Sequence, residues 1–218
     1  MKVCAIIAAA GSGKRMGGDK NKLLLSVGNK KIIERTLERF QETKIIDAIV
    51  VVTADEEIKS IAKNFPKVIK TVSGGDTRQK SVYEGTMAAE GYDLVAVHDG
   101  ARCFVSEEII ENAIKVAAEK GACVPCADIV DTLKEVENEA ICRGVDREKV
   151  KAIQTPQCFR RDLLIKAYQN ADGSETDESS LVSKIGKVHI CQGARENIKV
   201  TTKFDLVLAK AILESGDF

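Results

Sequence analysis

This sequence carries no excess charge of either sign, since 33 lysines and arginines are matched by 33 aspartates and glutamates. No overall field therefore draws the chain to nucleic acid or to an anionic membrane, and any useful positive charge must be local. Also missing is an apolar run long enough to cross a bilayer, and the opening segment Met1 to Ala8 runs straight into a loop rather than into a signal-peptide cleavage region. A cytoplasmic protein with neither a membrane nor a nucleic-acid partner is expected. There is no internal repeat or low-complexity tract. Evenly paired cysteines are absent too: the seven are odd in number and scattered through apolar segments, which suits reduced, partly buried thiols. Cys123 and Cys126 have the spacing of a redox or zinc motif, but no second close Cys or His pair accompanies them, and they lie in a strand-like stretch. Packing is the expected role.

What remains is enough for one sizeable core: 218 residues, 44% of them hydrophobic. Residues 1–218 are expected to form a single domain. Lys2 to Ala8, Asp47 to Thr53, Val68 to Val72 and Asp93 to His98 are short apolar runs rich in β-branched residues and predict buried strands. Between and after them, helical spacing marks one apolar face at Ile33, Leu37 and Phe40 and another at Ile109, Ile110, Ala113, Ile114 and Ala117. This alternation predicts an α/β fold, a mostly parallel sheet with helices on both faces and ligands beyond the carboxyl ends of its strands. The pattern breaks at about 128–150, where β-like pieces flank the polar turn Glu137-Asn138-Glu139 and predict a protruding hairpin. Regular order returns at Lys151 to Thr155. A helix from Arg161 to Asn170, a polar loop from Ala171 to Glu178 and a last helix from Lys203 to Glu214 follow.

The loop after the first strand runs Ala8-Ala9-Ala10-Gly11-Ser12-Gly13-Lys14-Arg15-Met16-Gly17-Gly18. Small residues there let the backbone approach a ligand and turn N–H groups toward an anion. The Walker pattern fails, because alanines stand where its first glycine belongs and Arg15 follows Lys14. The dinucleotide fingerprint fails as well, because Met16 occupies the place of its third small residue. A loop with three cations, Lys14, Arg15 and Lys22, remains, suited to a nucleoside triphosphate attacked at phosphorus. Such charges on a solvated loop are commonly of little consequence, but the position after the first strand argues otherwise. The segments Ser73 to Ser81 and His98 to Arg102 fall at two further strand ends. Each combines a tight-turn glycine, a carboxylate and an arginine. Asp76 or Thr77 could be only an N-cap and Asp99 only a turn former, yet together they outline a pocket. His98, among apolar neighbours, is expected to be packed rather than catalytic.

In order along the chain, AAGSGKRM, NKLLL, GGDTRQKSV, HDGAR, DTLKEV, VDREKVKAIQTPQCF, TDESSLV and NIKVTT resemble the motifs of the 2-C-methyl-D-erythritol 4-phosphate cytidylyltransferases of the non-mevalonate isoprenoid pathway. The resemblance covers nearly the whole chain. It implies a Rossmann-like domain that dimerises through a β-arm, the predicted hairpin. It implies transfer of CMP from CTP to methylerythritol phosphate with release of pyrophosphate, aided by Mg²⁺ held mainly by the CTP phosphates. Ala9, Ala10, Gly11 and Gly13 would lie against the nucleotide, Gly75, Asp76 and Ser81 would read the cytosine edge, and Gly100 would meet the ribose. Arg15 and Lys22 match residues that stabilise the transition state, and Arg147 and Lys199 match those that position the acceptor. Asp99, Arg102, Thr132, Thr155 and Thr176 would complete the acceptor pocket, with Thr132 and Arg147 reaching over from the second subunit of a homodimer. The sequence departs from the family where Asn21 replaces a usual proline before Lys22, and where Gly100 and Cys103 replace Ala and Pro in the HDAARP pattern. Ribitol 5-phosphate cytidylyltransferases are close in the loop motifs, but TDESSLV and NIKVTT favour the methylerythritol enzymes. A catalytically silent nucleotide-binding subunit is disfavoured by the intact cations, and a sugar-1-phosphate uridylyltransferase by the arm.

Overall fold

The computed structural model describes residues 1–11 and 21–216. In chain order its elements begin with β1 (Val3–Ala8), the ribbon β2 (Ser26–Val27) and β3 (Lys30–Lys31), α1 (Ile32–Glu42), β4 (Ala48–Val52), α2 (Glu56–Ala62) and β5 (Val68–Val72). There follow α3 (Arg78–Ala88), β6 (Leu94–Asp99), α4 (Glu107–Lys120) and β7 (Ala122–Asp128). The hairpin β8 (Lys134–Glu137) and β9 (Ala140–Gly144) comes next, then β10 (Lys151–Ile153), β11 (Gln157–Arg160), α5 (Arg161–Gln169), α6 (Glu178–Ser183), β12 (His189–Gln192) and α7 (Lys203–Glu214).

One eight-stranded sheet organises the molecule, with the order β10-β7-β11-β6-β1-β4-β5 and β12 beside β7. β1 pairs in parallel with both β4 and β6, β4 with β5, and β12 with β7. β11 and β10 run antiparallel to their neighbours, so the sheet is mostly parallel. Alternation along each central strand sends side chains to opposite cores. Val3, Ala5 and Ile7 of β1 join Ile33, Leu37 and Phe40 of α1, Ile58 of α2, Ile110 and Ile114 of α4 and Ala209 of α7. Cys4 and Ile6 join Val82 of α3, Leu164 and Ala167 of α5, and Leu181 of α6 on the other face. Such double burial is why these strands read as continuous apolar runs.

Caps fix where the helices start. Thr77 accepts the Lys80 amide of α3, Ser106 the Ile109 amide of α4, and Thr202 the Asp205 amide of α7. α4 stops at Gly121, whose φ of 94° suits glycine. The four strand expectations match β1, β4, β5 and β6 to within a residue at each end. The hairpin turns at Asn138 and Glu139, both at positive φ (48° and 64°), as a tight two-residue connection requires. The sequence reading lacked β11, β12 and α6; Glu178, placed in a polar loop, instead opens α6 and is fully buried. Cys123 lies in the apolar core, in register with Cys158 of β11.

Candidate active site

The carboxyl ends of β1, β5 and β6 surround a cleft of about 380 Å³. Parallel register puts Ala8 of β1 beside Asp99 of β6 and Val52 of β4, so the loops that follow these strands emerge together. Ala10, Gly11, Lys22, Gly75, Asp76, Ser81, Asp99, Gly100 and Lys199 all line the cleft. Sequence positions spread from 10 to 199 therefore converge on one cleft. Gly13 and Arg15 lie outside the described residues.

Small residues set how closely the walls approach. A Cβ on Gly74 would stand 2.5 Å from the Ala10 side chain and 2.7 Å from Ser81 Oγ, and one on Gly100 would stand 3.1 Å from the Ala8 carbonyl oxygen. The Gly75 amide donates to Ser81 Oγ at 3.0 Å, pinning the glycine loop to the first turn of α3. Two of the expected backbone contacts are already committed elsewhere. Ala9 is buried, its N–H given to Val52 O, and Gly100 gives its N–H to Ala8 O while its own oxygen accepts from Thr36.

Asp99 is the electrostatic centre. Its carboxylate, almost wholly buried, faces Lys199 Nζ at 2.9 Å, Arg102 Nε at 3.5 Å and Arg78 Nε at 3.7 Å. Burial alone would raise its pKa, but Lys199, Arg78 and Arg102 outweigh that and hold the carboxyl down at about 2. Behind it, the Asp99 amide donates to Thr155 Oγ1 at 3.2 Å. Thr155 Oγ1 meets His98 Nδ1 at 3.0 Å, and His98 Nε2 meets the Arg102 carbonyl, also at 3.0 Å. A carbonyl can only accept, so Nε2 carries the proton and Nδ1 accepts from Thr155. Burial drives the His98 pKa down to about 4, and the ring packs against Phe40. His98 is thus a neutral internal tie that shapes the Asp99 turn, as expected of a packed histidine.

The other cations are placed by backbone. Lys22 begins a short 3-10 turn (Lys22–Leu24), and Asn21 caps that turn by accepting the Leu23 amide at 3.1 Å. Lys22 Nζ donates to the Val200 carbonyl at 3.0 Å, next to Lys199. The Lys199 segment is held in turn by fully buried Asn197, whose side-chain amide donates to the Thr155 carbonyl, while its backbone carbonyl accepts from Arg102 Nη1 at 2.7 Å. Arg102 and Thr155 form the wall behind the cleft, and neither lines it.

Three expected residues stand apart. Thr132 and Arg147 lie exposed on the hairpin arm, where Arg147 Nη1 donates to Val130 O at 3.1 Å, and Thr176 is exposed in the loop before α6. Conversely, Arg78, which the sequence marks only as the arginine of the Ser73 to Ser81 segment and without a site role of its own, lines the cleft. Its signal was available. A cation as the first residue of a helix opposes the helix dipole and needs a reason.

Comparison with known proteins agrees with this geometry. The family model for 2-C-methyl-D-erythritol 4-phosphate cytidylyltransferase matches residues 3–215. The chain belongs to that family. The enzyme of that name from Clostridium acetobutylicum is 39% identical, with 98% of each chain covered, and the one from Bacillus cytotoxicus is 40% identical over 95% of this chain and 96% of its own. Among solved structures, the 4-diphosphocytidyl-2C-methyl-D-erythritol synthase of Anaerococcus prevotii superposes with a TM-score of 0.87 at 31% identity, covering 98% of this chain and 96% of that one. The cytidylyltransferase of Thermus thermophilus gives 0.80 at 32% identity, covering 96% and 98%. The family's mostly parallel α/β fold is the fold described here.

Proposed function

We propose that the chain transfers CMP from CTP to 2-C-methyl-D-erythritol 4-phosphate, releasing pyrophosphate, in isoprenoid precursor synthesis. The observation that carries this reading is the cleft itself. Small residues, Ala10, Gly11, Gly75 and Gly100, line it together with the cations Lys22 and Lys199 at the strand ends of a family member.

An acceptor phosphate monoester has a second pKa of about 6, so at neutral pH it is already mostly an anionic nucleophile. No general base is needed, which fits a histidine locked inside the wall. An acceptor phosphate oxygen forms a bond to the α-phosphorus of CTP while the bond to the β-phosphate bridging oxygen breaks in line, and pyrophosphate leaves with that electron pair. The obstacle is bringing anions together, and fixed cations lower it. In this reading Ser81, Gly75 and Asp76 face the cytosine, Lys22 and Arg15 meet charge on the triphosphate, and Lys199 holds the acceptor phosphate beside Asp99.

Among the described residues no three carboxylate, histidine or cysteine side chains gather into a metal cage, and Asp99, one of two carboxylates lining the cleft, is matched by three cations. That donor set fits a Mg²⁺ that would be held mainly by the CTP phosphates and water, with Asp76 and Asp99 the carboxylates that line the cleft. Mg²⁺ so bound offsets triphosphate charge. The chain acts as a homodimer in which Thr132 and Arg147 reach the acceptor side of the other subunit's cleft. This accounts for their distance from the cleft of their own chain.

Pyrophosphate release from CTP is the test, scanned across methylerythritol 4-phosphate, ribitol 5-phosphate and no acceptor. Turnover is expected with methylerythritol phosphate. Preference for ribitol phosphate, or no release with any acceptor, would overturn the proposal.

A further inference from the structure

Arg78 ties two chain segments that line the cleft to a third, the start of α6, that does not. It opens α3 directly after the Gly74-Gly75-Asp76-Thr77 loop, its Nε faces Asp99 Oδ1 at 3.7 Å, and its Nη1 meets Glu178 Oε1 at 2.8 Å. Glu178 is entirely buried at the start of α6, two residues beyond Thr176. Tyr168 donates to the same Glu178 oxygen at 3.4 Å, and the second oxygen has no hydrogen-bond partner among the described residues.

A fully buried carboxylate with one oxygen unmatched is a poor device for stability, because its desolvation is only partly offset. Apolar side chains of similar volume would serve the fold as well. What the ion pair provides is aim. Glu178 grips one end of the Arg78 fork, so the remaining Nε is presented to a single oxygen of Asp99. The other Asp99 oxygen is left to Lys199 and Arg102.

We infer that Arg78, held by Glu178, is a positioning residue for acceptor binding: it fixes the rotation of Asp99 and thereby the direction in which Lys199 presents its charge. Without Arg78, the Asp99 carboxylate loses the partner of Oδ1 and is free to rotate, and the Lys199 ammonium, 2.9 Å from Oδ2, loses its fixed direction with it. Lysine is no substitute at this position, since one ammonium cannot serve two carboxylates in the fixed geometry of a planar fork. The inference rests on the cleft being the transfer site.

The experiment compares wild type, Arg78→Lys, and the double variant Arg78→Met with Glu178→Met, by thermal midpoint and by separate KM values for CTP and methylerythritol phosphate. Absence of wild-type turnover would remove the transfer reading itself. With wild type active, the double variant is expected to melt close to wild type, because the pair is replaced as a unit, and yet to show an acceptor KM raised about tenfold or more, with the CTP KM changed far less. A double variant that recovers both its melting point and its acceptor KM would show the pair to be structural and overturn the inference. Should the double variant not fold, Arg78→Lys decides: a raised acceptor KM supports the inference, and an unchanged one overturns it.

Discussion

Lys22 heads a turn capped by Asn21, and its ammonium lies against the carbonyl of Val200, so the charge is delivered by rigid backbone on both sides. Asn21, where the resembling motif usually has proline, orders this turn through its side chain. Fixed charge of this kind acts on the transition state with no reorganisation during the reaction, so Lys22→Ala is expected to lower kcat by about 10²-fold or more. Steady-state turnover of purified, folded Lys22→Ala checks it, and turnover near wild type would be incompatible with that role. His98 supports a prediction about pH. Its imidazole titrates near 6.5 when exposed and at about 4 when folded. Between those values the unfolded chain binds a proton that the folded chain refuses. The stability associated with neutral His98 is therefore complete above pH 6.5 and is lost as pH falls toward 4, amounting to about 3 kcal/mol. Burial raises the pKa of Glu178, and a raised carboxyl contributes in the opposite sense, favouring the fold as pH falls. The comparison that isolates the histidine is therefore wild type against His98→Gln. Urea midpoints from pH 7 to pH 4 should fall more steeply for wild type, and parallel profiles would contradict the assignment.

At the scale of elements, α3 shows how a helix is pressed against the sheet to bring its first turn to the cleft. A Cβ at Gly85 would stand 2.5 Å from Ile6 Cγ2 and 2.8 Å from Val52 Cγ2. Helix propensity alone would make Gly85→Ala favourable by about 1 kcal/mol, whereas overpacking a closed core costs about 1–3 kcal/mol. The packing term is the larger, so Gly85→Ala is expected to be destabilising, with a lower denaturation midpoint; a rise would mean that α3 can back away from β1 and β4. Legibility from sequence divides along the same physical line. β1, β4 and β6 are buried on both faces and announce themselves as apolar runs. β12 alternates between half-buried and exposed residues, and β11 begins with Gln157, a buried polar residue that donates to Asp177. α6 is a six-residue helix rich in serine, with a buried glutamate at its start. Local pattern cannot show a charge buried because its partner lies 100 positions earlier, which is the case for Glu178 and Arg78. The glycine turns at Gly75 and Gly100 are visible in the local sequence, whereas the ion pair that ties Arg78 to Glu178 is not.

At the scale of the whole molecule, a chain with no net charge must gather its cations locally, and one subunit brings Lys22, Arg78 and Lys199 to the cleft while leaving Arg147 exposed on the arm. The same arm exposes Val130, Val136 and Ile141, each by more than half. Apolar side chains on a projecting hairpin call for a covering surface, and a second copy that also receives Arg147 would satisfy both needs at once. This leads to a complementation experiment. Arg147→Ala and Lys199→Ala chains, each weak alone at low acceptor concentration, are mixed under conditions that allow subunits to exchange. If arms cross between subunits, every mixed dimer holds one site missing both residues and one site with both intact. Random pairing makes half of the dimers mixed, so activity should return to about a quarter of the wild-type level. If each arm serves its own cleft, every site keeps one defect and mixing restores nothing. The two arrangements thus predict different activities from the same two proteins, and the recovered fraction identifies which subunit's Arg147 completes the cleft.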